Sequence, residues 1–527
     1  MPRFQVDTRA DFSGGLNAQA SPWTVEKTQV LRTQNLLFDR KGAMRTRDGY
    51  AIIDPNAAAG YTHRDFAAYV VVNTGVTGLV ITNNPAVNGG ANQLYRNNPT
   101  PWTAIGNLQQ NYELARIIFL ANFAIMTDAY TTPKAWNGTT FTTLVAGAGQ
   151  TVPIGALWAV SHLNQLWVWN TAPTRTALDG PASLRASDVA SPNVWPNGNQ
   201  TFLGDDSDKG MGLAVFSIAE EGIAPFPVLV AFKGYTAYKV TGTFGASNFA
   251  IEQIRTDQGC AAGRTIQFIP GMGILRLTQR GFYLYDGLND QLISTALDPY
   301  LFGTDGLDGL DEATLYRSVA ALYPYPPLYV CACPVAGITR RWFVLDIVRK
   351  VWSVFDLVSP TGTGLTALNY YRGLDSPVAI GPAVLRGGFS GDKNIYDFSG
   401  AWTTDAGTPI RWSVRVPPIA GNSPLRRHFH RRMLAKVYRV NQGQAVTASF
   451  AIGPAQNPSL NMAMGQAAFT TAQPGATLLS AVEEDLNFPI GRTGEVQWCE
   501  LAGQGPIEIR ALEWQGVPKV PSRPVRT

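Results

Sequence analysis

Charge is scarce in this chain of 527 residues: only 15% are Asp, Glu, Lys or Arg, against roughly a quarter in soluble proteins generally. A chiefly helical protein of this length would need more Glu, Lys and Ala on its exposed helix faces, so a helical fold is not expected. The 42 basic and 38 acidic residues leave a net charge of +4, too little for nucleic-acid binding by bulk attraction. So low a charge density suits a surface largely covered by neighbouring subunits. Cysteine is rare, with four in all. Only Cys331 and Cys333 lie close together, in a C-A-C run that puts both on one face of a strand. No Cys/His cluster beside them completes a zinc ligand set, so buried free thiols are expected and a disulfide framework is not. Long apolar runs are missing as well. The most apolar one, residues 115–126, contains Arg116 and Asn122 and is too short to span a bilayer. The opening MPRFQVDTRADF has no apolar stretch of the signal-peptide kind, so a soluble, cytoplasmically made protein is expected.

What fills the space is turn and strand chemistry. There are 52 Gly, 35 Pro and 11% aromatics, with 45% hydrophobic residues and a mean hydropathy of −0.04. Tight turns need Gly and Pro, and strands favour aromatics, so the composition predicts a turn-rich all-β protein. The length calls for two or three folding units. A loose repeat runs through the middle: a short apolar-aromatic strand, a Gly/Asn/Asp turn, then a second strand. Copies begin at Gln93, Pro133, Gln165, Thr236, Gly281, Arg341 and Lys393. Asn-Gly and Asp-Gly between alternating apolar runs are hairpin signals, because type I′ turns need positive φ. One or two further strands precede each copy, as in AAYVVV at 67–72 and PVLVAF at 227–232. Four-stranded units recurring at this scale predict a β-propeller of six to eight blades; unrelated hairpins in a two-sheet sandwich are the alternative. The acidic run TDGLDGLDE at 304–312 lacks the ligand spacing of an EF-hand and reads as a solvated loop, so no metal is expected.

From about residue 405 the strands lengthen and alternate strictly, as in TPIRWSVRVPPI, RRMLAKVYRV and PIEIRALEWQGVP. The domain expectation is therefore an N-terminal strap at 1–55, a propeller at 56–404 and a β-sandwich with an extended C-terminal arm at 405–527. The patternless stretch 457–481 reads as an interaction loop.

The strap carries the sharpest pattern: Phe12, Gly14, Gly15, Leu16 and Asn17, then Asn35, then Gly42, Arg45, Arg47, Gly49 and Tyr50. It resembles the opening of the tail nozzle (tail tubular protein B-like) proteins of short-tailed phages, which begin F/L-x-G-G-hydrophobic-Asn and close on G-x-x-x-R-x-G-Y. Further ordered pieces are similar to that family: NQLWVWN at 164–170, ASDVASPNVWP at 186–196, LVAFKGYTAYKVTG at 229–242, QGCAAGRTI at 258–266, RGFYLYDG at 280–287 and RWFVLDIVRKVWSVFDL at 341–357. The matches spread over most of residues 12–400. The resemblance implies a structural virion protein, made in the host cytoplasm, that forms a ring of six copies at the distal end of a short tail. Such a ring would extend and gate the DNA ejection channel, with tail adaptor or portal-proximal proteins and tail fibres or a needle as partners. Genomic DNA would pass without sequence-specific contacts.

Enzyme motifs do not emerge. There is no G-x-S-x-G elbow in a strand-turn-helix setting and no phosphate-binding P-loop. Neither an enzyme activity nor a cofactor is expected. Two basic clusters stand out, Arg340–Arg341 and Arg426, Arg427, His428, Phe429, His430, Arg431, Arg432. Repeated around a ring they would either line a DNA channel or pair with carboxylates and carbonyls of an adjacent subunit, which suits the forked guanidinium. With Gly14, Gly15, Arg45 and Arg47 of the strap, these arginines are the candidate subunit-interface or channel residues. Other roles open at this point are a carbohydrate-binding or carbohydrate-cleaving module at a tail tip, and a hub or connector elsewhere in a phage tail.

Overall fold

The computed structural model describes residues 5–20, 24–39, 41–54, 62–71, 75–83, 90–97, 102–108, 113–129, 131–218, 226–324, 326–357, 359–360, 362–372, 383–400, 402–417, 428–439, 446–453 and 482–518. Seven four-stranded antiparallel sheets follow one another along the chain. Blades 1 to 6 span residues 62–107, 116–143, 158–202, 210–253, 267–292 and 319–356; blade 7 takes three strands from 365–397. The first strand of each sheet touches the first strand of the next, and the first strand of blade 7 touches that of blade 1. The sheets thus close into a ring with these strands innermost, which is a seven-bladed β-propeller. Each of the seven repeat copies seen in the sequence lands in a different blade. Five are the two outer strands of a blade; the copies at Gln165 and Lys393 supply one inner strand each, Gln165–Trp169 and Ile395–Asp397.

Burial on both strand faces shows how the blades stack. Gln165–Trp169 and Gly281–Tyr285 are buried along their whole length, as strands covered by neighbouring blades on both faces must be. The Trp136, Trp167, Trp169 and Trp195 side chains are fully buried between blades. Cys260, Cys331, Cys333 and Cys499 are all free and buried; Cys331 and Cys333 place their sulfurs 3.6 Å apart on one strand face. The acidic run at 304–312 is used through its backbone: the Asp305 and Asp308 carbonyls accept from Arg32 and Arg341. Asp311 caps the short 3-10 helix Glu312–Arg317, accepting from the Ala313 N–H at 3.1 Å.

The ring is closed by the N-terminal segment. Ala51–Asp54 is the outermost strand of blade 7, with Asp397 opposite Ala51 and Ile395 opposite Asp54. The strap therefore does not end at residue 55 as a separate element; its last strand belongs to the propeller. The rest of it is woven into the C-terminal unit. Gln5–Arg9 pairs with Ile507–Pro518, as does Met44–Thr46, and Arg32–Gln34 pairs with Arg411–Val416. The C-terminal unit is two half-sheets joined by one 23-residue strand, Val482–Gln504. Its first half pairs with His428–Arg439 and its second with Arg411–Val416 and Val446–Gly453. The halves face each other: the Cys499 sulfur lies 3.5 Å from that of Met433. The sequence marked only the second half of this long strand. The 457–481 loop and residues 519–527 of the C-terminal arm lie outside the described residues.

One apolar core runs through all three regions. Phe12, Leu16, Val30, Leu36 and Phe38 of the strap pack with Phe282, Tyr329, Phe343 and Trp352 of blades 5 and 6 and with Trp412, Met433, Leu512 and Trp514 of the C-terminal unit. Burial of this size is the main term holding the strap between the other two parts.

Candidate functional site

Two places concentrate charged chemistry: the junction where the strap joins the propeller to the C-terminal unit, and the opening at the propeller axis.

At the junction, Arg47 is the central residue. Its guanidinium meets the Asp405 carboxylate through both terminal nitrogens, at 2.8 and 2.6 Å, and its Nε donates to Asn35 Oδ1 at 2.9 Å. Both members of the ion pair are only 3% exposed. Asn35, with φ of 59°, adopts the left-handed conformation that Asn tolerates better than other non-glycine residues. That turn lets Oδ1 also accept from the Asp356 N–H at 3.0 Å while Nδ2 donates to the Arg411 carbonyl at 2.7 Å. Strap, blade 6 and C-terminal unit therefore share one satisfied buried network. Next to it the chain runs beside residues 402–406: the Gly49 and Tyr50 N–H groups donate to the Trp402 and Thr404 carbonyls at 2.7 and 3.1 Å. A Cβ on Gly49 would lie 2.0 Å from the Thr404 oxygen, so only glycine fits. The Tyr50 ring then inserts among Phe389, Tyr396 and Phe398 of blade 7, with centroids 5.0–5.6 Å away. Burial pushes its hydroxyl well above the usual tyrosine range.

The predicted site residues divide sharply. Gly14 donates to the Thr28 carbonyl at 3.1 Å. Gly15, at φ +71°, sits with its Cα against blade 6, where an added Cβ would lie 2.7 Å from Val351 Cβ. Arg341 is buried; it donates to Asp356 at 3.2 Å and to the Asp308 carbonyl, with its guanidinium 5.6 Å from the Tyr300 ring centroid. Of the residues expected at a subunit interface or channel, Gly15, Arg47 and Arg341 are thus buried in contacts within this chain, and Gly14 is half-buried. Arg45 and Arg340 are partly exposed, paired with Asp48 at 3.3 Å and Asp308 at 3.8 Å respectively. Arg431 and Arg432 lie on the strand His428–Arg439, whose register shifts between His430 and Arg432 against both neighbours; their side chains are not among those described. Arg426 and Arg427 lie outside the described residues.

The axial opening was not marked by the sequence. It lies on the face where the innermost strands begin, and a cavity of about 380 Å³ is lined there by Arg64, Glu113, Arg264, Arg317, Thr339, Thr363, Thr366 and Ser390, with Gly337, Gly362 and Gly364 along one wall. Arg264 projects from the 3-10 turn Gly263–Thr265 before blade 5. It donates to the Thr366 carbonyl of blade 7 at 2.9 Å and to the Arg64 carbonyl of blade 1 at 2.7 Å. Arg317, before blade 6, reaches Glu113, before blade 2, with Nε to Oε2 at 2.9 Å and Nη2 to Oε1 at 3.2 Å. These ties cross the axis. Burial, and after it the neighbouring Arg116 and Arg64, pull Arg264 down to about 10; Asp65 and Glu113 oppose that. Burial likewise lowers Arg64. Nothing in the sequence flags this set, because its members come from blades far apart along the chain. Among the described residues no group of three His, Cys, Asp or Glu side chains is placed to hold a metal.

Searches against protein-family models and against curated proteins find no match. Among solved structures the chain is similar to the WD40 β-propeller domain of Doa1, at 10% identity, covering 67% of this chain and 99% of that one with a TM-score of 0.40. It is similar to BBS1N in complex with ARL6DN at 10% identity, covering 67% and 96% with a TM-score of 0.40. A looser likeness, at 10% identity and a TM-score of 0.26, is to an exo-β-1,3-galactanase from Phanerochaete chrysosporium, covering 89% of this chain and all of that one.

Proposed function

We propose that this chain is a structural, non-enzymatic virion protein: a subunit of the nozzle ring that extends and gates the DNA channel of a short-tailed phage. The observation that carries the reading is the use made of the strap. Of the residues on which the nozzle resemblance rests, Gly15, Asn35, Arg47, Gly49 and Tyr50 tie the strap to the propeller and to residues 402–411, and Gly14 and Gly42 shape the strap itself. Such a signature belongs to an architecture and not to a chemistry. The result is a stiff block with one continuous core, as a ring component under mechanical load requires. In this reading the channel is enclosed between copies, since the propeller's own axis is crossed by Arg264 and by the Arg317–Glu113 pair. The exposed Arg340 and the 428–432 strand segment are left as candidates for contacts with a neighbouring copy or with DNA.

Electron cryo-microscopy of the assembled particle tests this. A six-fold ring of this chain around an axial pore, beyond a tail adaptor, is the expected outcome; a protein absent from the tail, or present there as isolated monomers, would overturn it. The cavity at the axis favours a second reading, a ligand-binding module at a tail tip.

A further inference from the structure

The axial cavity has the chemistry of a binding site for a compact anion. The geometry points to a ligand carrying a carboxylate or a phosphate monoester together with hydroxyl groups, held at the propeller axis by Arg64, Arg264 and Arg317 and flanked by the Thr339, Thr363, Thr366 and Ser390 side chains. This inference does not rest on the ring reading; it concerns the axis of one propeller and stands or falls on a single copy.

Four observations carry it. First, the volume of about 380 Å³ falls in the range of small-ligand pockets, roughly 300–1,000 Å³. Second, charge is unbalanced. Among the described lining residues three arginines face one glutamate, and Glu113 already gives both its oxygens to Arg317. Third, the positive charge is buried. Arg64 and Arg264 are each 7% exposed, and Arg264 meets carbonyl oxygens in the hydrogen bonds it makes toward blades 7 and 1, not a carboxylate. Asp65 offsets the Arg264 charge through space but gives its two oxygens to the Phe66 and Ile117 N–H groups, so an anion entering the cavity would be free to bond that guanidinium directly. Fourth, the described lining contains no aromatic ring. A ligand with a charge and several hydroxyls finds Thr and Ser side chains, and Gly337, Gly362 and Gly364 leave room between them.

Binding is read by isothermal titration calorimetry on the full chain with D-galacturonate, inorganic phosphate and D-galactose. At least one of the two anions should bind, more weakly as salt rises, and galactose should not. Galacturonate alone would identify a carboxylated sugar-like ligand, phosphate alone a phosphate monoester, and both a general oxyanion site. Ser390→Asp places a carboxylate in the cavity without touching any of the cross-axis ties, and should weaken anion binding about tenfold or more while leaving the melting temperature unchanged. Arg64→Gln should weaken it as well, and a melting curve separates that loss from misfolding. Failure of both anions to bind, equal binding of galactose, or undiminished binding by Ser390→Asp would each overturn the assignment.

Discussion

The junction and the axial opening both gather arginines, and they treat them in opposite ways. At the junction Arg47 is matched by Asp405 and Asn35, and Arg341 by Asp356 and a carbonyl, so each buried charge has its counter-charge within the chain. At the axis the Arg264 hydrogen bonds toward blades 7 and 1 end on carbonyls, Asp65 offsets its charge only through space, and the described lining holds three arginines against one glutamate. Closed bonding marks a structural weld. Positive charge left over around a cavity marks a place where something else can bind. The lesson is that an arginine cluster in a sequence says little until its acceptors are counted.

The strongest way to break this contrast is at Arg47. Arg47→Ala strands the buried Asp405 carboxylate, and Asp405→Ala strands the guanidinium; either should cost about 3–5 kcal/mol, read as a lowered midpoint in chemical denaturation. Arg47→Met combined with Asp405→Leu removes both charges and should recover most of that loss, because apolar replacement of a whole buried pair is often neutral. If each single substitution cost under about 1 kcal/mol, the junction would not be a weld.

Next come the glycines that let the strap approach so closely. Gly49→Ala sets a methyl 2.0 Å from the Thr404 oxygen, and Gly15→Ala sets one 2.7 Å from Val351 Cβ at a positive φ. Each should cost about 1–3 kcal/mol, with Gly49 the worse because a backbone atom has to move. Gly391, at φ +71° but with nothing within 4 Å of an added Cβ, should cost only the conformational part, about 1 kcal/mol.

These positions also show how far the sequence could be read. Turn pairs and apolar alternation are local signals, so the propeller and its hairpin repeat were legible, and so were the strands beginning near Thr408, Arg431 and Pro506. The blade count was open because copies at uneven spacing do not say where the ring closes; that depends on Ala51–Asp54 reaching blade 7 from the far end of the chain. The strap pattern was visible but its partners were not. Nothing near Arg47 in sequence points to Asp405, and nothing near Gly15 points to Val351. The axial cavity was invisible for the same reason, its lining arriving from blades 1, 2, 5, 6 and 7.

Buried histidines handle the cost of charge a third way, by staying neutral. Burial pushes His63 and His162 each down to about 4 from a usual 6.5. The unfolded chain takes up those protons first, so this stability is fully present above pH 6.5 and drains away as pH falls toward 4. His162 has neither ring nitrogen bonded and stacks edge-on to Trp167 at 5.8 Å. His162→Phe should therefore flatten part of the acid-side fall in melting temperature measured from pH 7 to pH 4.5, with little change at pH 7.

The smallest expected effect sharpens the contrast most finely, because it compares two adjacent arginines. Arg340 and Arg341 point to opposite faces of the strand Ile338–Asp346. The Arg341 side chain is 6% exposed and bonded, whereas that of Arg340 is 40% exposed and 3.8 Å from an Asp308 carboxylate that is itself 75% exposed. Screening leaves such a surface pair about 0–1 kcal/mol, so Arg340→Ala should barely move the unfolding midpoint while Arg341→Ala lowers it clearly. Arg340 is then the member of the pair free to act outside its own chain. Arg340→Glu, which should fold as well as the parent, reads that role directly: loss of ring assembly or of DNA retention at unchanged stability would assign Arg340 to a contact between copies or to the channel. Unchanged assembly and retention would remove it from both.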